Sequence, residues 1–109
     1  MRVNNLLRQA GDAVPLAAHN IPGTGERRCS CGCWLKHWQK HSGLPIGLCS
    51  SGTCLNAATV GAHVWQENGI DQSAFIVPLC ARCNQLQDTI ILAPGTHLAP
   101  AHSLQVCAR

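Results

Sequence analysis

The chain has no tyrosine, one phenylalanine and one methionine among 109 residues, and its other large aromatics are three tryptophans. Few side chains are therefore large enough to fill an interior. A single domain of this length with so thin a core is short of burial free energy and needs a covalent or metal staple. Charge is scarce too: charged residues make up 12% of the chain, with a net charge of +3. That mild excess points to solubility more than to a strong overall attraction for polyanions. Long hydrophobic runs are missing as well. In the opening MRVNNLLRQAGDAVPLAAHNIPG, Asp12, Pro15 and His19 interrupt the mildly apolar part. Neither a signal peptide nor a transmembrane span is expected, and the expected location is the cytoplasm. No paired-carboxylate site or phosphate-cradling glycine loop is visible. Asn4, Ser50, Ser51 and Ser103 form no nucleophile arrangement.

What the chain does have is eight cysteines. In a reducing compartment paired cysteines read as metal ligands, whereas in an oxidising one the same residues would read as a disulfide framework. The two readings separate experimentally, since a chelator melts the first and a reductant the second. Cys80-x2-Cys83 has the spacing of a zinc knuckle, and the looser Cys49-x4-Cys54 supplies a second pair. Four thiolates in two short-range pairs match the tetrahedral demand of a structural zinc ion, which leaves no position open for water. The energy of binding that ion is then folding energy.

Between and around the pairs, a coarse secondary structure is legible. Val60, Ala62 and Val64 alternate with Gly61, His63 and Trp65, the period of a strand, and Glu67-Asn68-Gly69 is a turn signal. Phe75 to Leu79 reads as a second strand, with Pro78 just before the knuckle. A helix is expected over Asn84 to Ile91, ended by Pro94-Gly95, and Thr96 to Cys107 as a closing strand or loop. Upstream, Trp34 to His41 reads as a two-turn helix stopped by Gly43 and Pro45. Its i, i+4 pairs predict a tryptophan face (Trp34, Trp38) and a basic face (Lys36 with Lys40, His37 with His41). Residues 1–25 read as a partly ordered arm with a short helix over Asn5 to Ala10, and 26–109 as one zinc-binding domain.

From Cys49 to Asn84 the order is a cysteine knuckle, then GAHV, then IVPLCARCN. This segment resembles the zinc-containing branch of the HNH endonuclease superfamily, and both ends of the chain lie outside the resemblance. The resemblance implies a small α+β domain with a treble-clef, ββα-metal core over 49–91, here preceded by an additional N-terminal helix. It places His63 at the general-base position and Asn84 at a final position for a catalytic metal such as Mg²⁺. Two other key positions depart from the pattern. Ala62 stands where the strand carries a metal ligand, and Phe75 stands where the family has an asparagine. Phosphodiester cleavage by this design needs a divalent ion as well as a base. Glu67, Asp71 and Asp88 are the carboxylates available to substitute.

A second cysteine cluster, Cys29, Cys31 and Cys33, precedes the Trp-bearing helix. With His37, His41 or Cys107 it could complete a second metal site, or its thiols could serve as small buried hydrophobes. Arg27, Arg28, Lys36 and Lys40 concentrate positive charge there beside Trp34 and Trp38. Arg82 projects from the second knuckle at the start of a helix. Basic residues next to aromatics suit phosphates and unpaired bases; the tryptophans read equally as core anchors. Sequence alone thus yields a zinc-binding, non-catalytic module whose expected partner is nucleic acid, DNA or RNA. The alternatives are a metal-dependent nuclease using His63 and a zinc-ordered scaffold for a protein partner.

Overall fold

The computed structural model describes residues 16–21, 33–67 and 73–101. Among these residues five antiparallel strands form one sheet in the order β4-β1-β2-β3-β5. They are β1 (Ala17–Asn20), β2 (Val60–Gln66), β3 (Phe75–Leu79), β4 (Ile90–Ile91) and β5 (Ala99–Pro100). Two helices accompany them among the described residues, α1 (Trp34–Ser42) and α2 (Ala81–Asn84). Among the described residues no helix is long and apolar enough to cross a membrane.

β2 and β3 are the pair that the alternating pattern predicts, in register from Val60 opposite Leu79 to Val64 opposite Phe75. Because β5 pairs only with Phe75 and Ile76, the end of β3 is an edge, where Pro78 is tolerated. Alternation then sorts the side chains. Ala62, Val64, Val77 and Leu79 point to one face and pack with Ala18, Ile90, Leu92, Cys49, Cys80 and Cys83. Ile76 points to the other and packs with Trp38, Ala99 and Ala101, against the partly buried Trp34 and Ala74.

α1 covers that second face. Cys33 caps its start, the Sγ accepting a bond from the Lys36 amide, and Gly43 ends it with φ 72°, its N–H donating to the Gln39 carbonyl. This left-handed ending is the one that favours glycine. The expected division into a tryptophan face and a histidine-lysine face is corrected: His37 is 1% exposed. Trp34, His37, Trp38 and His41 follow the i, i+3, i+4, i+7 rule and make one inward stripe, leaving Lys36, Gln39 and Lys40 outside. Burial of His37 is tolerable because Nε2–H donates to the Pro100 carbonyl at 2.8 Å. Likewise, Trp38 Nε1–H donates to the His97 carbonyl at 2.7 Å. The helix sits directly on the backbone of Gly61, where an added Cβ would lie 2.3 Å from Leu35 N and Trp34 C.

Two further expectations change. Residues 17–20, assigned to a lead-in arm, form a strand inside the sheet, between β2 and β4. Ala17, Ala18, His19 and Asn20 lack the β-branched signature, and pairing on both edges supplies what propensity does not. The helix expected over Asn84 to Ile91 is a single turn that ends at Asn84, after which the chain turns to pair Ile91 with Ala17 and Ile90 with Ala18. The Cys83 carbonyl, which a longer helix would use, accepts from the Leu86 amide and from Asn20 Nδ2 at 3.1 Å. Asn20 Nδ2 also reaches the Leu86 carbonyl at 2.8 Å, so β1 terminates α2. The Asn5–Ala10 helix, Asn68-Gly69 and the residues beyond 101 lie outside the described residues.

Candidate metal centre

Four loop and strand ends meet beneath the Ala62–Val64 face. Residues 48–57 form the first knuckle, closed by the Leu48–Ala57 bridge, a 2.8 Å bond from the Cys49 amide to the Asn56 carbonyl and a 3.0 Å bond from the Cys54 amide to the Ser51 carbonyl. It is moored at its middle. The Ser50 amide donates to the Pro78 carbonyl at the end of β3, and the Gly52 amide to the Ile91 carbonyl of β4, both at 2.8 Å. The second knuckle is the step from β3 into α2, where the Cys83 amide donates to Cys80 Sγ at 3.4 Å. Sequence separation is thus closed by the sheet: β3 delivers Cys80 to the place where Ser50 is tied.

The Sγ atoms of Cys49, Cys54, Cys80 and Cys83 all lie within 4.8 Å of one another. Cys54 and Cys80 are 3.8 Å apart, and all four are free thiols. A disulfide would require about 2.05 Å. A tetrahedron with metal–sulfur bonds of about 2.3 Å has edges of about 3.8 Å. The group therefore fits a metal ion. Cys49, Cys80 and Cys83 are buried, and Cys54 is partly so.

Three of the four thiols are shifted, and not in the same direction. The Cys80 pKa is lowered to about 6, first by the Cys83 amide and then by thiol and Asn56 donors. Asn56 Nδ2 lies 3.8 Å from Cys80 Sγ. Burial pushes Cys83 up to about 12 and raises Cys49. A cation among these sulfurs would compensate the charge that burial disfavours.

His63 and Asn84, the positions implied by the HNH resemblance, line a common cleft of about 730 Å³. It runs between β1, β2, the first turn of α1 and the chain leaving the end of α2, with Asn20, Trp34 and Gln87 also on its wall. His63 is buried, and its ring stands edge-on to Trp34, with centroids 4.4 Å apart at 77°. Among the described residues no carboxylate lines this cleft. Ala62 has no ligand atom in its side chain and packs in the cysteine-side core. Glu67 Oε1 is held by His19 Nε2 at 2.7 Å, Asp88 lines a separate groove beside β4, and Asp71 lies outside the described residues.

Of the second cysteine cluster, Cys29, Cys31 and Cys107 lie outside the described residues, as do Arg27 and Arg28. Cys33 is exposed at the start of α1, His37 is bonded inward, and His41 Nδ1 lies 2.8 Å from His97 Nε2. Among the described residues these three belong to no group of three or more metal ligands. Lys36, Lys40 and Arg82 are exposed. Sequence reasoning missed Asn20. Its only signal was an asparagine among small residues, and its role depends on a sheet neighbour remote in the chain.

Comparison with protein-family models gives no match, and neither do comparisons with curated proteins and with solved structures. The resemblance to the HNH superfamily stands on the residue pattern alone.

Proposed function

We propose that this protein is a zinc-ordered, HNH-like treble-clef module that binds nucleic acid and does not cleave it. The clustering of the Cys49, Cys54, Cys80 and Cys83 sulfurs within 4.8 Å carries the proposal. Four thiolates in that space favour zinc, and a closed four-sulfur sphere is structural rather than catalytic. Zinc takes over the work of a core that three tryptophans and one phenylalanine are too few to build. The exposed Lys36, Lys40 and Arg82 supply phosphate contacts. A short DNA or RNA oligomer titrated against the full chain at rising salt tests this reading. The expected result is binding at low salt that weakens steadily as salt rises, with Lys36→Ala/Lys40→Ala losing affinity. Absence of binding at low salt would favour the protein scaffold.

One observation supports a nuclease reading: His63 and Asn84 face the same cleft. That reading has His63 activate water and a divalent ion held partly by Asn84. A neutral carboxamide without a carboxylate holds Mg²⁺ weakly, so non-cleavage is preferred. A nicking assay with Mg²⁺, Mn²⁺ and Ni²⁺ decides between them, the nuclease requiring a metal-dependent cut that His63→Ala abolishes.

A further inference from the structure

The cleft beside α2 has a chemistry that neither the sulfur cluster nor the surface cations explain. At about 730 Å³ it falls within the range of small-ligand sites, ~300–1,000 Å³. Its described wall carries no charged side chain; instead it carries the carboxamides of Asn20, Asn84, Gln85 and Gln87, with Thr59 and the rings of Trp34 and His63. Asn20 spends its Nδ2 on the Cys83 and Leu86 carbonyls. The side chains of Asn84, Gln85 and Gln87, by contrast, make no hydrogen bond to any described residue. Three neighbouring carboxamides on residues that line the cleft therefore keep donor and acceptor both available.

An uncharged wall is a poor place for a phosphate or a divalent ion. A carboxamide offers a coplanar donor and acceptor, the arrangement that pairs with the edge of a base. An aromatic ring at the same wall suits a flat heterocycle. The cations lie outside the cleft but on the same two helices: Lys36 on α1 and Arg82 on α2. We propose that the cleft receives an unpaired nucleobase, its hydrogen-bonding edge met by Asn84, Gln85 and Gln87, while the attached phosphates meet the cations outside. This rests on the nucleic-acid reading and deepens it: the partner is single-stranded, and part of its affinity comes from bases.

The test compares an unstructured oligonucleotide with an abasic oligomer of equal length, binding to the full chain being followed by tryptophan fluorescence. The base-bearing strand should bind roughly tenfold more tightly. In Asn84→Ala/Gln87→Ala that preference should shrink towards unity, while the salt-dependent binding of the abasic strand persists. Should the double variant lose its fold, chemical-shift changes in the unaltered protein on adding a nucleoside decide instead, with the side-chain amides of Asn84 and Gln87 expected to move. Equal affinity for the two strands would overturn the base site and leave the nucleic-acid reading standing. Binding of neither strand at low salt would overturn both.

Discussion

On one face of the sheet α1 presses Trp38 and Trp34 against Ile76, Ala99 and Ala101. On the other, Ala62, Val64, Val77 and Leu79 meet loops whose inner side chains are cysteines. The first face is covered by a helix with large side chains and buried indole and imidazole N–H groups that find carbonyl partners. The second is covered by chain with almost no regular structure, drawn together around four sulfurs. A helix can cover a sheet through packing alone, because its backbone bonds are internal. A loop needs anchorage, and here the Ser50 and Gly52 amides and the sulfur cluster provide it. The two halves of so small a domain should therefore fail differently.

The largest effect is expected on the sulfur face. Cys83→Ser, or a chelator added to the intact protein, should abolish cooperative unfolding at 25 °C, since a structural zinc contributes about 10–16 kcal/mol of apparent binding energy. Cys33→Ser, at the exposed start of α1, should change stability by less than about 1 kcal/mol. Thermal melts of the two variants side by side check the contrast, and equal losses would break it. Trp38→Ala should cost about 3–5 kcal/mol by emptying the helix-side core, while the metal-to-protein ratio stays unchanged. Loss of metal in that variant would mean the faces are not independent.

Gly61→Ala sharpens the comparison. Its new Cβ would meet the backbone of Trp34 and Leu35, which cannot swing aside as a side-chain tip can. A cost of about 1–3 kcal/mol is expected by denaturant melt, with near-ultraviolet dichroism showing the tryptophans displaced. The smallest effect is a pH dependence. Burial, followed by the nearby His97 and His37, holds the His41 pKa below its ordinary value. Between that lowered value and the usual one of about 6.5, the unfolded chain binds more protons than the folded one, so stability rises with pH through this window and is lost as pH falls. The melting temperature should thus drop between pH 7 and pH 5.5, and drop less in His41→Gln. Subtracting the two profiles removes proton competition at the sulfurs.

The sequence reading succeeded where local pattern and tertiary structure agree. β2 and β3 follow their period-two alternation, and α1 ends at Gly43 because only a left-handed residue closes it there. The knuckle spacings named all four clustered cysteines. It failed where a remote partner decides. β1 is built from residues with little strand propensity, and β4 is an Ile-Ile pair too short to show a period, yet Ala18 and Ile90 find each other in the sheet. Asn20 ends α2 from 63 positions away. His37 was misplaced by reading its i+4 partner His41 as a separate face, when the i+3 step from Trp34 already put it inside. Gly61 carried an unread signal, since an isolated glycine within a strand marks close approach by another backbone.

X-ray absorption at the zinc edge, on the protein as purified with metal content measured on the same sample, tests the central claim most directly. One zinc per chain bound by four sulfurs at about 2.3 Å is predicted. A protein that folds without metal, or one in which Cys49, Cys54, Cys80 and Cys83 are oxidised to disulfides, would contradict it.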